Sequence, residues 1–361
     1  MSKPRQPMIP SSRKPAGIRF NMVQQPIDPR IISSSMLDKM IDGREFESLL
    51  QYQYQNLDFL VELRKSINEI KAIRNRPVVC YIANVVKPRG SSISIEDSDD
   101  LPFNEMIASL PADCKEIDIV LVTPGGFAHQ VAKFVNKLRP RFDKVGFILL
   151  NKAMSAGTIF IMSGDEIIMN NQSQIGPIDP QVRTNTGEFV PAQAILTLIE
   201  EFRIIGDEAI KNGLQPPWTD LQILRGIDPK EIGNAMNASN YSIQMVEEYL
   251  YNHKFKSWAV HSDGVTEVTD EQKKAKANEI AKLLCEHSKW KNHGHAITRE
   301  AAWDVCKLKI IHAEDIEGLD RAMRRMWALF YWIFENITLS KVFISENYCI
   351  MRNDSTNSQN K

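Results

Sequence analysis

The chain has 361 residues, 43% of them hydrophobic and 25% charged, with a formal net charge of -1. This is the balance of an ordinary globular protein, long enough to bury a substantial core and to hold two domains. Near-neutrality supplies no global attraction to nucleic acid or to an anionic membrane.

Five cysteines (Cys80, Cys114, Cys285, Cys306, Cys349) are scattered without a Cys-x-x-Cys pair. They argue against a disulfide framework or a zinc knuckle and for a reducing, cytoplasmic setting. No apolar signal region opens the chain, and no apolar run reaches the roughly 18 residues of a membrane span. Met326–Phe334 is the nearest candidate and is too short; it reads as a core or oligomer-contact helix.

Residues 1–35 carry Pro, Ser and Arg with a short basic start, which predicts a mostly extended arm. Apolar residues then recur at helical spacing (Leu57, Leu60, Val61), so 36–76 should hold one or two helices. These end before Arg76-Pro77, where the proline ring disfavours helix in its predecessor. The period changes at Val78–Val86, a continuous β-branched run of the kind buried on both faces of a sheet. Ile117–Val122, Val145–Leu150 and the shorter Glu166–Met169 repeat it. Between them, Phe127–Leu138 sets Val131, Phe134, Val135 and Leu138 on one stripe, and Ser155–Ser163 is also helical in pattern. Strands alternating with helices predict an α/β core over 77–191, with a parallel sheet built from right-handed βαβ crossovers. After about Ala192 the strand signal fades. A mainly helical extension is expected over 192–340 and a partly disordered tail over 341–361.

Three segments could carry chemistry. Thr123-Pro124-Gly125-Gly126 follows a strand, and its glycines can aim a backbone N–H at a developing oxyanion without side-chain obstruction. Read alone, it is equally an ordinary turn. Ala153-Met154-Ser155-Ala156-Gly157-Thr158 follows the next strand and opens a helix, with small neighbours that leave room for a substrate carbonyl. A serine there also serves as a simple N-cap. Ile175-Gly176-Pro177-Ile178-Asp179-Pro180-Gln181 completes the set.

In this order the motifs resemble the Clp/crotonase-fold serine peptidases. The nearest branch is the serine dehydrogenase proteinase (SDH proteinase) family, relatives of ClpP and signal peptide peptidase A. The likeness is best from Pro77 to Gln181, looser over Tyr249–Trp258, and returns at Lys289–Ile297. It implies a Clp/crotonase-like spiral of βαβ units with a helical C-terminal region. It also implies a serine endopeptidase that acts on peptides or proteins and assembles as a homo-oligomer. Ser155 becomes the nucleophile, the N–H groups of Gly126 and Ala156 the oxyanion hole, and Gly125 the residue that shapes the approach. The family name refers to a substrate protein, and this chain has no pyridoxal-phosphate signature; no cofactor is expected.

The general base stays open. ClpP-like enzymes use His and Asp, whereas the signal-peptide-peptidase branch uses Lys. No histidine lies between Ser155 and Arg183, and Asp179 falls near the position of the missing one. An aspartate alone is a poor base for a hydroxyl, so Asp179 either orients another group or braces its loop. His293 is the first choice for a remote base, with a turn-fixing role as its alternative. His295, Lys152 and His129 are further candidates, each also explicable as a solvated surface side chain. His293-Gly294-His295 lacks a third ligand at metal spacing, so no metal is expected. Two other functions share these features: a catalytically silent assembly or peptide-binding module, and a crotonase-type acyl-CoA enzyme, which needs no serine at the helix start.

Overall fold

A computed structural model describes residues 33–50, 58–88, 93–185, 187–261 and 263–353. The expected N-terminal arm lies outside the described residues apart from Ser33–Ser35. Helices α1 (Ser34–Asp42), α2 (Phe46–Leu50) and α3 (Phe59–Arg74) lead into β1 (Val78–Ala83). Then α4 (Asp100–Ala108) precedes β2 (Glu116–Thr123), α5 (Ala128–Leu138) precedes β3 (Lys144–Ala153), and α6 (Ala156–Met162) precedes β4 (Glu166–Met169). Beyond β5 (Gln174–Ile175), a hairpin of β6 (Gln181–Arg183) and β7 (Phe189–Pro191) feeds the long helices α7 (Ala192–Lys211), α8 (Trp218–Gly226) and α9 (Pro229–Tyr249). A π-helical turn, Leu250–Lys254, extends α9. After α10 (Asp270–Cys285), α11 (His287–Trp290) and α12 (Arg299–Cys306), the chain forms β8 (Ile311–His312), α13 (Leu319–Asn336), β9 (Leu339–Ile344) and β10 (Cys349–Asn353).

The main sheet runs β10-β9-β1-β2-β3-β4-β8, with β5 paired to the end of β3. Strands β1 to β4 and β8 are parallel, and β9 and β10 add an antiparallel edge. The parallel strands are mainly apolar, because helices cover both faces. Val79, Tyr81, Ile119, Leu121, Phe147 and Leu149 face one apolar layer, closed by α4, α5, α6, α9 and α10. Their neighbours Val78, Cys80, Val120, Val122 and Ile148 face the other, closed by α1, α3 and α13. The architecture is mixed α/β with a parallel-rich sheet, as the resemblance implies.

The last segment differs from expectation. Residues 341–353 are not tail: all of β9 is buried, and it pairs with β1 from Cys80↔Ile344 to Ala83↔Lys341. A lysine in the middle of the run hides its strand character. Lys341 is itself fully buried, and its ammonium lies 2.8 Å from both carboxylate oxygens of Asp99 and 2.6 Å from Ser94 O. Tyr81 Oη donates to the same carboxylate at 2.9 Å. Residues 354–361 lie outside the described residues. The apolar stretch Met326–Phe334 needs no outside partner, because α13 lays Phe330, Trp332, Ile333 and Phe334 into the layer formed with α3 and the sheet. Among the described residues no helix is long and apolar enough to cross a membrane.

Removing one member of a buried ion pair leaves the other charge unsolvated, at a cost of about 3–5 kcal/mol. Asp99→Ala should therefore lower the unfolding free energy by about that amount in urea titrations. A loss below about 1 kcal/mol would show that Lys341 finds solvent or another partner.

Candidate active site

Two loops meet where β2 and β3 end. Thr123 O accepts from Met154 N at 3.1 Å, which holds the strand ends together. Gly125 turns at φ +101, and a β-carbon on it would lie 2.7 Å from Met154 O and 2.8 Å from Ser155 Cβ. Gly126, at φ +147, faces Ile95, where an added β-carbon would sit 2.2 Å from the carbonyl oxygen. Ile95 N donates to Gly125 O (2.7 Å) and Phe127 N to Ile95 O (2.9 Å), so the loop is zipped to the segment before α4. Gly125 N donates to Thr123 Oγ1 at 3.1 Å. No acceptor among the described residues takes the N–H of Gly126.

Ser155 sits at φ +50, ψ -118, a sparsely populated conformation for a residue with a side chain. Its hydroxyl makes no capping bond to α6, so the N-cap account does not describe it. The residue is half-buried, whereas every residue of α6 is buried. Ala156 N, the first N–H of the helix, also lacks an acceptor among the described residues, as the start of a helix requires. Thus two unoccupied N–H groups and one unengaged hydroxyl stand on adjoining loops.

The third motif is fastened to the second. β5 pairs with the end of β3 (Ala153↔Ile175), and Gly176 lies against Met154, with 2.6 Å between an added β-carbon and Met154 Cε. Thr158 Oγ1 accepts from Gly176 N (3.0 Å) and lies 2.8 Å from Ala153 O. Ile178 N then donates to Leu284 O (2.9 Å), and Ile175 exchanges two backbone bonds with Ile297. These contacts draw the end of α10 and residues 286–297 over the motif.

Asp179, flanked by Pro177 and Pro180, is fully buried there. Its Oδ1 lies 2.9 Å from His293 Nδ1, and its Oδ2 lies 2.9 Å from His287 Nδ1. The imidazoles are 22% and 24% exposed. A carboxylate at Nδ1 favours the tautomer that carries the proton on that nitrogen and leaves Nε2 free to accept one. Asp179 therefore holds an imidazole on each of its carboxylate oxygens.

Asp179 and His293 are thus brought together, while among the described residues none of the other base candidates is hydrogen-bonded to either. His129 is exposed, stacked on Phe127 with its Nε2 3.1 Å from Asp97. His295 is exposed beside Trp290, with ring centroids 5.3 Å apart. Lys152 is a half-buried residue of β3 opposite Gln174. His287 escaped sequence reading, since it opens a four-residue helix after a helix break and matches no motif. Its only signal is closeness to His293. Among the described residues no cluster of three or more His, Cys, Asp or Glu could hold a metal ion.

Residues 46–210 match the family described as ClpP-like SDH-type serine proteinase. An uncharacterized protein of Methanocaldococcus jannaschii is 28% identical over 261 residues, covering 71% of this chain and 75% of its own. A second uncharacterized protein of that organism is 30% identical over 118 residues, 33% of this chain and 38% of its own. Among solved structures, a mutant of the 1510-N membrane-bound stomatin-specific protease aligns with a TM-score of 0.36 and 15% identity, over 63% of this chain and 79% of that one.

The backbone at Ser155 carries a testable cost. Glycine tolerates its angles, so Ser155→Gly should be more stable than Ser155→Ala by about 1 kcal/mol in chemical denaturation. Equal stabilities would mean that the turn is unstrained.

Proposed function

We propose that this chain, whose residues 46–210 match the ClpP-like SDH-type serine proteinases, hydrolyses peptide bonds through an acyl-enzyme on Ser155. The observation that carries this reading is the buried Asp179 with an imidazole on each oxygen, fastened to the loop that presents Ser155. In the proposed reaction the Ser155 hydroxyl attacks the scissile carbonyl while Nε2 of His293 or His287 takes its proton. Asp179 holds that imidazole and stabilises its charged form. The oxyanion accepts from Gly126 N–H and Ala156 N–H, the groups left without protein acceptors. Gly125 keeps the space above Ser155 clear. The amine departs with the proton from the imidazole, and water then cleaves the ester by the same route.

A fluorophosphonate probe should label the wild-type protein and leave Ser155→Ala unlabelled. Loss of the aspartate that orients such a base costs about 10⁴-fold and loss of the base about 10²–10⁴-fold, so Asp179→Asn should slow labelling by that order. His293→Ala and His287→Ala, measured separately, identify the base as the variant with the larger loss. A folded wild type that does not label would favour the silent module instead, and labelling undiminished in Asp179→Asn would remove the proposed relay.

We further propose a homo-oligomer joined through the α7–α8 arm. Helix α7 buries only Ala192 and α8 buries none of its residues, while Ile210, Leu214 and Trp218 are 63%, 66% and 74% exposed. Apolar surface on this scale calls for a partner, and an assembly of identical subunits confines an unspecific nucleophile to a chamber. Light scattering should find the wild type oligomeric and the Ile210→Glu/Trp218→Glu double variant reduced to smaller species. A monomeric wild type would overturn the assignment.

A further inference from the structure

A sizeable cavity lies away from Ser155. It has a volume of about 850 Å³ and opens along the β4–β8 edge of the sheet, between the π-helical turn Leu250–Lys254 and α12. None of its lining residues belongs to the site described above. The volume falls in the range of about 300–1,000 Å³ typical of small-ligand sites.

Its charge is one-sided. Lys254, Lys307 and Lys309 line it, and among the described residues none of the three forms an ion pair with a carboxylate, although Asp165 and Glu166 act on Lys254 at longer range. Asp165 lies on the wall, but it accepts from Arg139 (2.8 Å) and from Val145 N (2.7 Å), so its charge is already engaged. Arg299 is likewise held, by Glu300 at 2.8 Å and Glu314 at 2.5 Å. Lys307 lies over the Trp303 ring at 5.6 Å. Half-burial in this wall, with Lys309 beside it, holds the Lys254 ammonium down to about 8. A lysine kept partly from water with no directly paired carboxylate is costly, and an incoming anion relieves that cost.

The remaining wall mixes aromatic with aliphatic side chains. Trp258 packs between Phe255 and His261, with centroids at 5.3 and 5.7 Å, and Trp303 is 53% exposed. Lysines are point charges suited to phosphate, whereas the one arginine fork that could take a carboxylate in bidentate fashion is occupied. Indole faces accept flat rings. We infer that the cavity binds a nucleoside phosphate, its phosphate oxygens on Lys254, Lys307 and Lys309 and its base against Trp258 or Trp303.

The test is calorimetric titration of the full chain with ADP and, separately, with inorganic phosphate. ADP should bind saturably and at least tenfold more tightly than phosphate. Lys254→Met should weaken ADP at least tenfold, and so should Lys309→Gln, an exposed change that leaves the core untouched. Trp303→Leu should weaken ADP while leaving phosphate unchanged. Absence of ADP binding at millimolar concentration would overturn the proposal, as would equal binding by wild type and the Lys254→Met/Lys309→Gln double variant. Equal affinity for ADP and phosphate would overturn the nucleoside assignment. Titrating Ser155→Ala alongside the wild type keeps this outcome separate from that of probe labelling, since the cavity shares no residue with Ser155.

Discussion

The approach of Gly125 to Ser155, closer than a β-carbon allows, is the constraint on which the rest of the site depends. It is imposed from a distance. The buried pair Lys341–Asp99 anchors Ser94 and Glu96, and Ile95 between them is zipped to the Gly125-Gly126 turn. A strand near the C-terminal end of the chain thereby positions a loop near its middle. The charge that seems misplaced inside β9 is the tie that fixes the loop carrying an unoccupied N–H.

The second loop is held from the other side. Thr158, Gly176 and the β3–β5 pairing fasten the Ser155 turn to the Asp179 segment, and backbone bonds from Ile178 and Ile175 fasten that segment to Leu284 and Ile297. Ser155 keeps its unfavourable angles because both neighbours of the turn are immobilised. Local strain of this kind, about 1–3 kcal/mol, persists only where surrounding structure over-determines it.

Much of this was legible in the sequence, for a physical reason. Parallel strands buried on both faces must be continuously apolar, so β1 to β4 announce themselves, and the loops after them stand out by their glycines. Amphipathic α5 was equally plain. What stayed hidden depends on contacts distant along the chain. Lys341 looks polar until Asp99 is placed beside it, which is why β9 and β10 passed for tail. Met326–Phe334 left a core role and an oligomer contact both open, because the layer it fills, built from α1, α3 and the sheet, has no local signature. The partnership of Asp179 with two histidines could be suspected for His293 through a motif. For His287 it could not, since a break after α10 erases any periodicity.

The distances along the chain between these partners carry a consequence for how the protein comes into being. Asp179 is separated from its histidines by 108 and 114 residues. Such separations make assembly slow relative to local helix formation. On a ribosome the Ser155 turn and Asp179 would emerge well before the imidazoles that complete the proposed relay. A half-made chain would carry a hydroxyl with nothing to deprotonate it, and only completion of the last third would arm it. Delay built into the order of synthesis would thus protect the nascent chain and its neighbours.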